Sequence, residues 1–137
     1  MKKKYKAMVL SCIDPRFQPK VFNYLKKRKL IGKYSSFTIA GAAIGVTHIN
    51  FKNWQKTFIE NLSTSIDFHK INKLIVINHK DCGAAKIVNG KKLFSDTNEK
   101  KIHHISFRKL KKILNKKFPK LFYEFHLMAL NNSIQRF

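Results

Sequence analysis

Two short clusters hold the reactive side chains of this chain: Cys12-Ile13-Asp14-Pro15-Arg16 near the start and His79-Lys80-Asp81-Cys82-Gly83 past the middle. Cys12 and Cys82 are its two cysteines. His79 and Cys82, three residues apart, can reach one ion from a single turn, and Cys12 supplies the third arm. Two soft thiolates and an imidazole make a zinc set, and three protein ligands leave a fourth position for water or substrate. Local ligand pairs filling all four positions, as in a zinc finger, are a different pattern.

Asp14 and Arg16, two residues apart on an extended segment, point the same way. The ring of Pro15 keeps Asp14 out of helical geometry. The guanidinium can then hold the carboxylate ionised and in one orientation. Asp14 is close enough to Cys12 either to accept a hydrogen bond from a zinc-bound water or to ligate the zinc itself. Two thiolates neutralise Zn²⁺, which leaves its water less acidic than at a site of neutral ligands. The reaction type implied is attack of zinc hydroxide on a small electrophile.

Convergence of the two clusters requires that both follow neighbouring strands. Residues 6–11 read as a short buried strand, and the continuous run Leu74-Ile75-Val76-Ile77 reads as a central parallel strand covered on both faces. In open α/β sheets the ligand crevice is at the carboxyl ends of strands. Between them, a helix begins near Gln18, turns Val21, Phe22, Leu25 and Leu30 inward, and closes at Gly32. Residues 35–40 form a second strand running into Gly41-Ala42-Ala43-Ile44-Gly45, whose glycines serve backbone turns and lack the spacing of a dinucleotide fingerprint. Phe51, Trp54, Phe58, Leu62 and Ile66 mark the clearest amphipathic helix, its aromatic stripe facing a sheet as core and not as a ligand platform.

Residues 83–88 make a short helix ended by Asn89-Gly90. Asp96 and Glu99 then resemble a capping box for a long helix with Ile102, Ile105, Leu110, Ile113, Leu114 and Phe118 inward, stopped by Pro119. Residues 122–130 make the last strand. Of the remaining histidines, His103 and His104 are expected in solvent and His126 in a surface pair with Glu124, while His48 and His69 have no ligand-like neighbours. The order predicts an α/β fold: a mostly parallel open sheet with helices on its faces, as one zinc-binding domain over residues 1–137.

The bulk numbers agree with a packed globule, since 44% of residues are hydrophobic and 12 are Phe. The formal net charge of +22 attracts nucleic acid, phosphorylated metabolites or other anions at long range. Four of the 29 basic residues are Arg, however, and the lysines are spread along the chain. Phosphate clamps and base readers favour the forked Arg group, so nucleic-acid binding is the rival reading and not the first one. No apolar run has the ~20 residues of a membrane span. The basic start meets Asp14 too soon for a signal h-region, so the expected location is cytoplasmic, where thiols stay reduced.

Cys12-x-Asp14-x-Arg16, then Ala40-Gly41, then His79-x-x-Cys82-Gly83 resemble the β-class carbonic anhydrases over roughly residues 8–87. The resemblance implies that Cys12, His79 and Cys82 bind Zn²⁺. It further implies that Asp14 either closes the site on the metal or pairs with Arg16 to leave a hydroxide. The implied activity is that of a carbonate dehydratase, a lyase making bicarbonate from carbon dioxide, with homodimers or multiples of dimers as the assembly. Relatives of that family hydrolyse carbonyl sulfide or carbon disulfide at the same kind of centre. The chain departs from the family at Thr38-Ile39, where Arg-Asn is usual, and at Pro15, where Ser is usual. No helical arm is expected ahead of the first strand.

Overall fold

The structure, a computed structural model, describes residues 4–137; the basic start at 1–3 lies outside the described residues. Five strands form one sheet: β1 (Ala7–Ser11), β2 (Tyr34–Thr38), β3 (Lys73–His79), β4 (Phe122–Met128) and β5 (Ile134–Arg136). Their order is β2-β1-β3-β4-β5, with the first four parallel and β5 antiparallel to β4. The helices are α1 (Gln18–Lys27), α2 (Ala43–Thr47), α3 (Trp54–His69), α4 (Gly83–Asn89) and α5 (Asp96–Lys117), with a 3-10 turn over Ile49–Phe51. The predicted α/β fold with a mostly parallel open sheet is what forms.

Alternation along the strands divides the core into two layers. Met8, Leu10, Leu74, Val76 and Phe125 pack with Phe58 and Leu62 of α3 and with Phe107, Leu110 and Leu114 of α5. On the opposite face Ala7, Val9, Ile75, Ile77 and Met128 meet Phe17, Val21 and Leu25. Each Leu, Ile or Phe buried in this way contributes roughly 1.5–3 kcal/mol. Because β3 is apolar on both faces, it occupies the centre of the sheet. Ser11 pairs with Ile77 across β1 and β3. That register brings Cys12 and the end of β3 to the same carboxyl edge.

Several boundaries differ from the sequence expectation. Helix α1 stops at Lys27, because Lys29 turns left-handed (φ 59°) and the Leu30 N–H returns to the Leu25 carbonyl. Gly32 belongs to the following turn, and Phe22 faces solvent, with Phe17 taking its place in the core. Strand β4 ends at Met128 and the chain doubles back as β5, which is too short for its alternation to be read from sequence. Helix α5 is capped by Ser95, whose hydroxyl accepts from the Asn98 N–H. Glu99 does not complete a capping box. Ile105 is exposed, since polar residues share the buried stripe of α5.

Glu124 and His126 do pair, at 2.9 Å, but both are buried and not on the surface. Arg28 donates two hydrogen bonds to the Glu124 carboxylate, at 2.7 and 3.0 Å, and Lys73 approaches to 2.9 Å. Despite burial, these partners hold the Glu124 carboxyl well below the usual carboxylate range.

Candidate metal centre

Cys12 leaves β1 directly after Ser11, and His79 is the last residue of β3. Cys82 caps the start of α4, reached through Asp81 in the left-handed region (φ 58°). That tight reversal brings Cys82 back beneath His79. The sulfurs of Cys12 and Cys82 and a ring nitrogen of His79 all lie within 4.8 Å of one another, and all three residues are buried. The structure thus brings together the three residues that the spacing singled out.

The donor set fits a soft divalent metal ion. His79 Nδ1–H donates to the Lys80 carbonyl at 2.7 Å, which fixes the tautomer and leaves the Nε2 lone pair free. That Nε2 is buried without a hydrogen-bond partner. A buried polar atom left bare carries an energetic penalty unless something ligates it. Phe17 stacks on the imidazole at 4.1 Å between ring centres and sets its plane. Hydrogen bonding from Cys82, opposed by burial and aided by the Gly41 N–H, holds Cys12 well below the usual thiol range. The Cys12 thiolate and burial push Cys82 up.

Asp14 and Arg16 form the expected dyad. Arg16 donates from Nη2 to Asp14 Oδ2 at 2.7 Å and from Nε to Oδ1 at 3.1 Å, and its backbone N–H adds a bond to Oδ1 at 2.9 Å. These contacts lower the Asp14 carboxyl to about 2. Asp14 Oδ2 lies 3.8 Å from His79 Nε2, at the rim of the ligand triangle. Arg16 also reaches across to the second cluster, donating to the Asp81 carboxylate at 2.9 Å and to its carbonyl at 3.0 Å. Lys86 completes the link with a 2.9 Å ion pair to Asp81. Asp81 as the bridge between the two clusters was not foreseen. Its charge beside Cys82 was the available signal.

A cavity of about 370 Å³ opens beside Cys12 and Asp14, walled by Ile13, Pro15, Phe51, Trp54, Ala84 and Ile87. Phe51 and Trp54 stack in parallel, 4.7 Å apart. The aromatic stripe expected to be core is therefore divided: Phe58 and Leu62 enter the core, while Phe51 and Trp54 line the cavity. Gly41 closes the floor at φ 80°, and its N–H donates to Cys12 Sγ at 3.3 Å. Gly45 serves a close approach inside α2 and not a turn, since a Cβ there would meet the Ala40 carbonyl oxygen at 2.1 Å. His103, expected in solvent, is fully buried behind the centre.

A parallel sheet with a Cys-His-Cys group at its carboxyl edge defines the β-carbonic-anhydrase class of fold. Two solved examples align over 98% of this chain: a β-carbonic anhydrase from Coccomyxa in complex with acetazolamide (TM-score 0.65, 11% identity, 72% of that chain) and a tetrameric β-carbonic anhydrase from Sordaria macrospora (0.62, 11%, 81%). The family model described as "Putative carbonic anhydrase" matches residues 1–118, and the chain belongs to that family. Uncharacterised proteins of Rickettsia bellii and Rickettsia conorii are 26% and 25% identical over 131 residues, covering 95% of this chain and 80% and 70% of theirs.

Proposed function

We propose that this chain is a zinc-dependent carbonic anhydrase-like lyase that hydrates carbon dioxide to bicarbonate. The bare, buried Nε2 of His79 facing two thiols carries this reading. Cys12, His79 and Cys82 would hold the ion, which would supply Lewis acidity and make water easier to deprotonate. Asp14, locked by Arg16, offers an oriented acceptor for the attacking water. The apolar lining of the cavity suits a small, uncharged, linear electrophile. Bicarbonate then leaves into the field of a chain with net charge +22.

Assembly as dimers or multiples of dimers and a cytoplasmic location, where both thiols stay reduced, complete the proposal. Among the described residues no helix is long and apolar enough to cross a membrane.

Metal analysis of the purified protein with stopped-flow carbon dioxide hydration at mildly alkaline pH tests it. The expected result is one zinc per chain, lost in the Cys12→Ser, His79→Ala double variant, and hydration that disappears with the metal. Absence of stoichiometric zinc, or zinc retained in that variant, refutes the site. Zinc without hydration refutes the substrate. The same groups and cavity suit hydrolysis of carbonyl sulfide or carbon disulfide, and a parallel sulfide-release assay separates the two substrates.

A further inference from the structure

Behind the metal centre, away from the cavity, a closed chain of polar side chains runs through the interior. Glu99 of α5 is buried and points at the start of α4. Its Oε1 accepts the Asp81 N–H and its Oε2 the Cys82 N–H, both at 3.0 Å. The successive N–H groups of the left-handed Asp81 and of Cys82 after it form a small anion-binding concavity, and here a side chain of the same molecule fills it. His103 Nε2–H donates to Glu99 Oε2 at 3.2 Å, and His103 Nδ1 accepts from Asn78 Nδ2 at 2.9 Å. The second Asn78 Nδ2 hydrogen goes to Ser106 Oγ at 3.3 Å, whose own hydrogen goes to the His103 carbonyl at 2.7 Å. Asn78 Oδ1 accepts the Ala43 N–H at 3.0 Å.

Donors and acceptors match along the whole chain. Only a carboxylate can accept from three donors at one end, and only the Nε2–H tautomer of His103 passes the polarity on to Asn78.

The two ends of this relay are the two halves of the metal centre. Glu99 holds the backbone at Asp81 and Cys82. Asn78 holds Ala43, next to Ala42, whose φ of 49° is unfavourable for a residue with a Cβ and needs support. That same turn presents Gly41, whose N–H meets Cys12 Sγ. We infer that Glu99, His103 and Asn78 are positioning residues for the metal centre, setting the Cys12 and Cys82 sulfurs at one fixed separation through the backbone of both loops. The inference rests on the metal-centre reading above.

The test uses zinc and cobalt(II) alone as probes, on folded, reduced, metal-free protein. Zinc affinity is measured by competition with a chromophoric chelator, and the ligand geometry by the visible spectrum of the cobalt form. Glu99→Gln replaces one acceptor oxygen with a donor and so faces an N–H with an N–H. The expected loss in zinc affinity is about 10–100-fold, the usual effect of removing a partner behind a ligand, with a shifted cobalt band. His103→Gln, at the middle of the relay, gives the same direction and serves if Glu99→Gln does not fold. Glu124→Gln, which alters a buried carboxylate far from the centre, lowers stability but leaves affinity and band unchanged. Relay variants that fold and keep the wild-type affinity and cobalt spectrum, or that lose no more affinity than Glu124→Gln, overturn the inference while the metal centre stands. A wild-type protein that binds neither metal overturns both.

Discussion

Replacing Gly41 with Ala tests how tightly the cavity floor is built. Gly41 has φ 80°, where an L-residue pays roughly 1–2 kcal/mol. Its new Cβ would be 2.6 Å from the Cβ of Ala84, against about 3.5–4.0 Å for a relaxed carbon contact. Ala84 is buried in the first turn of α4, so either the loop or the helix must move by roughly 1 Å. Overpacking of this kind costs about 1–3 kcal/mol. The two contributions together give about 2–5 kcal/mol for Gly41→Ala. Ala84→Gly removes the clash and leaves the backbone cost, so in the double variant only the overpacking part is recovered. Urea unfolding of the metal-free protein, followed by circular dichroism for wild type, both single variants and the double, yields the coupling. The expected coupling is about 1–3 kcal/mol. A value below about 0.5 kcal/mol, within the range for independent sites, would refute the described contact.

Phe17→Ala removes the ring stacked on His79 and should destabilise the fold by about 3–5 kcal/mol while broadening the cobalt(II) spectrum; urea unfolding and absorbance check the two effects. Glu124→Gln strips the partner from Arg28 and Lys73, and the loss should be about 2–3 kcal/mol, below the usual cost for a fully buried pair because both cations are partly exposed. The Glu124 carboxyl is depressed in the folded state, so its contribution is present above its unfolded pKa near 4.5 and is lost as pH falls below it. Wild type should therefore lose stability on acidification through that range more steeply than the variant, as thermal melts at stepped pH will show. Arg16→Lys keeps the charge but loses the fork that holds both Asp14 oxygens; carbon dioxide hydration should fall at least about tenfold with zinc content unchanged.

The candidate metal-binding residues were legible because their chemistry is local and their strands announce themselves. Leu74-Ile75-Val76-Ile77 can only be a buried strand or a piece of buried helix, and a charged, sulfur-bearing turn directly after it marks a carboxyl edge. The relay behind the site was not legible on the same terms. Glu99 and His103 sit on a lysine-rich helix where polar residues normally face water, and the apolar residues alone suggested a stripe through Ile102 and Ile105. The helical phase was nevertheless available: 99, 103, 106, 110 and 114 lie on one face, and Leu110 and Leu114 show which face is buried. Phe51 escaped for another reason. Its spacing from Trp54 fits a helix, but Phe51 closes a 3-10 turn ahead of α3, and both rings line the cavity instead of entering the core.

The adjacency of β1 and β3 also governs when a metal can act. Cys12 and Cys82 come from loops separated by the whole α1-β2-α2-α3-β3 segment, and they meet only after two parallel strands have found their register. Parallel pairing over such a separation forms slowly, because a long loop must close before any contact rewards it. Zinc therefore cannot nucleate this chain in the way it nucleates a small finger, where ligands a few residues apart gather before the fold exists. Here the ion would arrive last, as a latch on a completed topology. Metal added to the unfolded chain should leave the refolding rate unchanged, and metal added to the native protein should slow its unfolding.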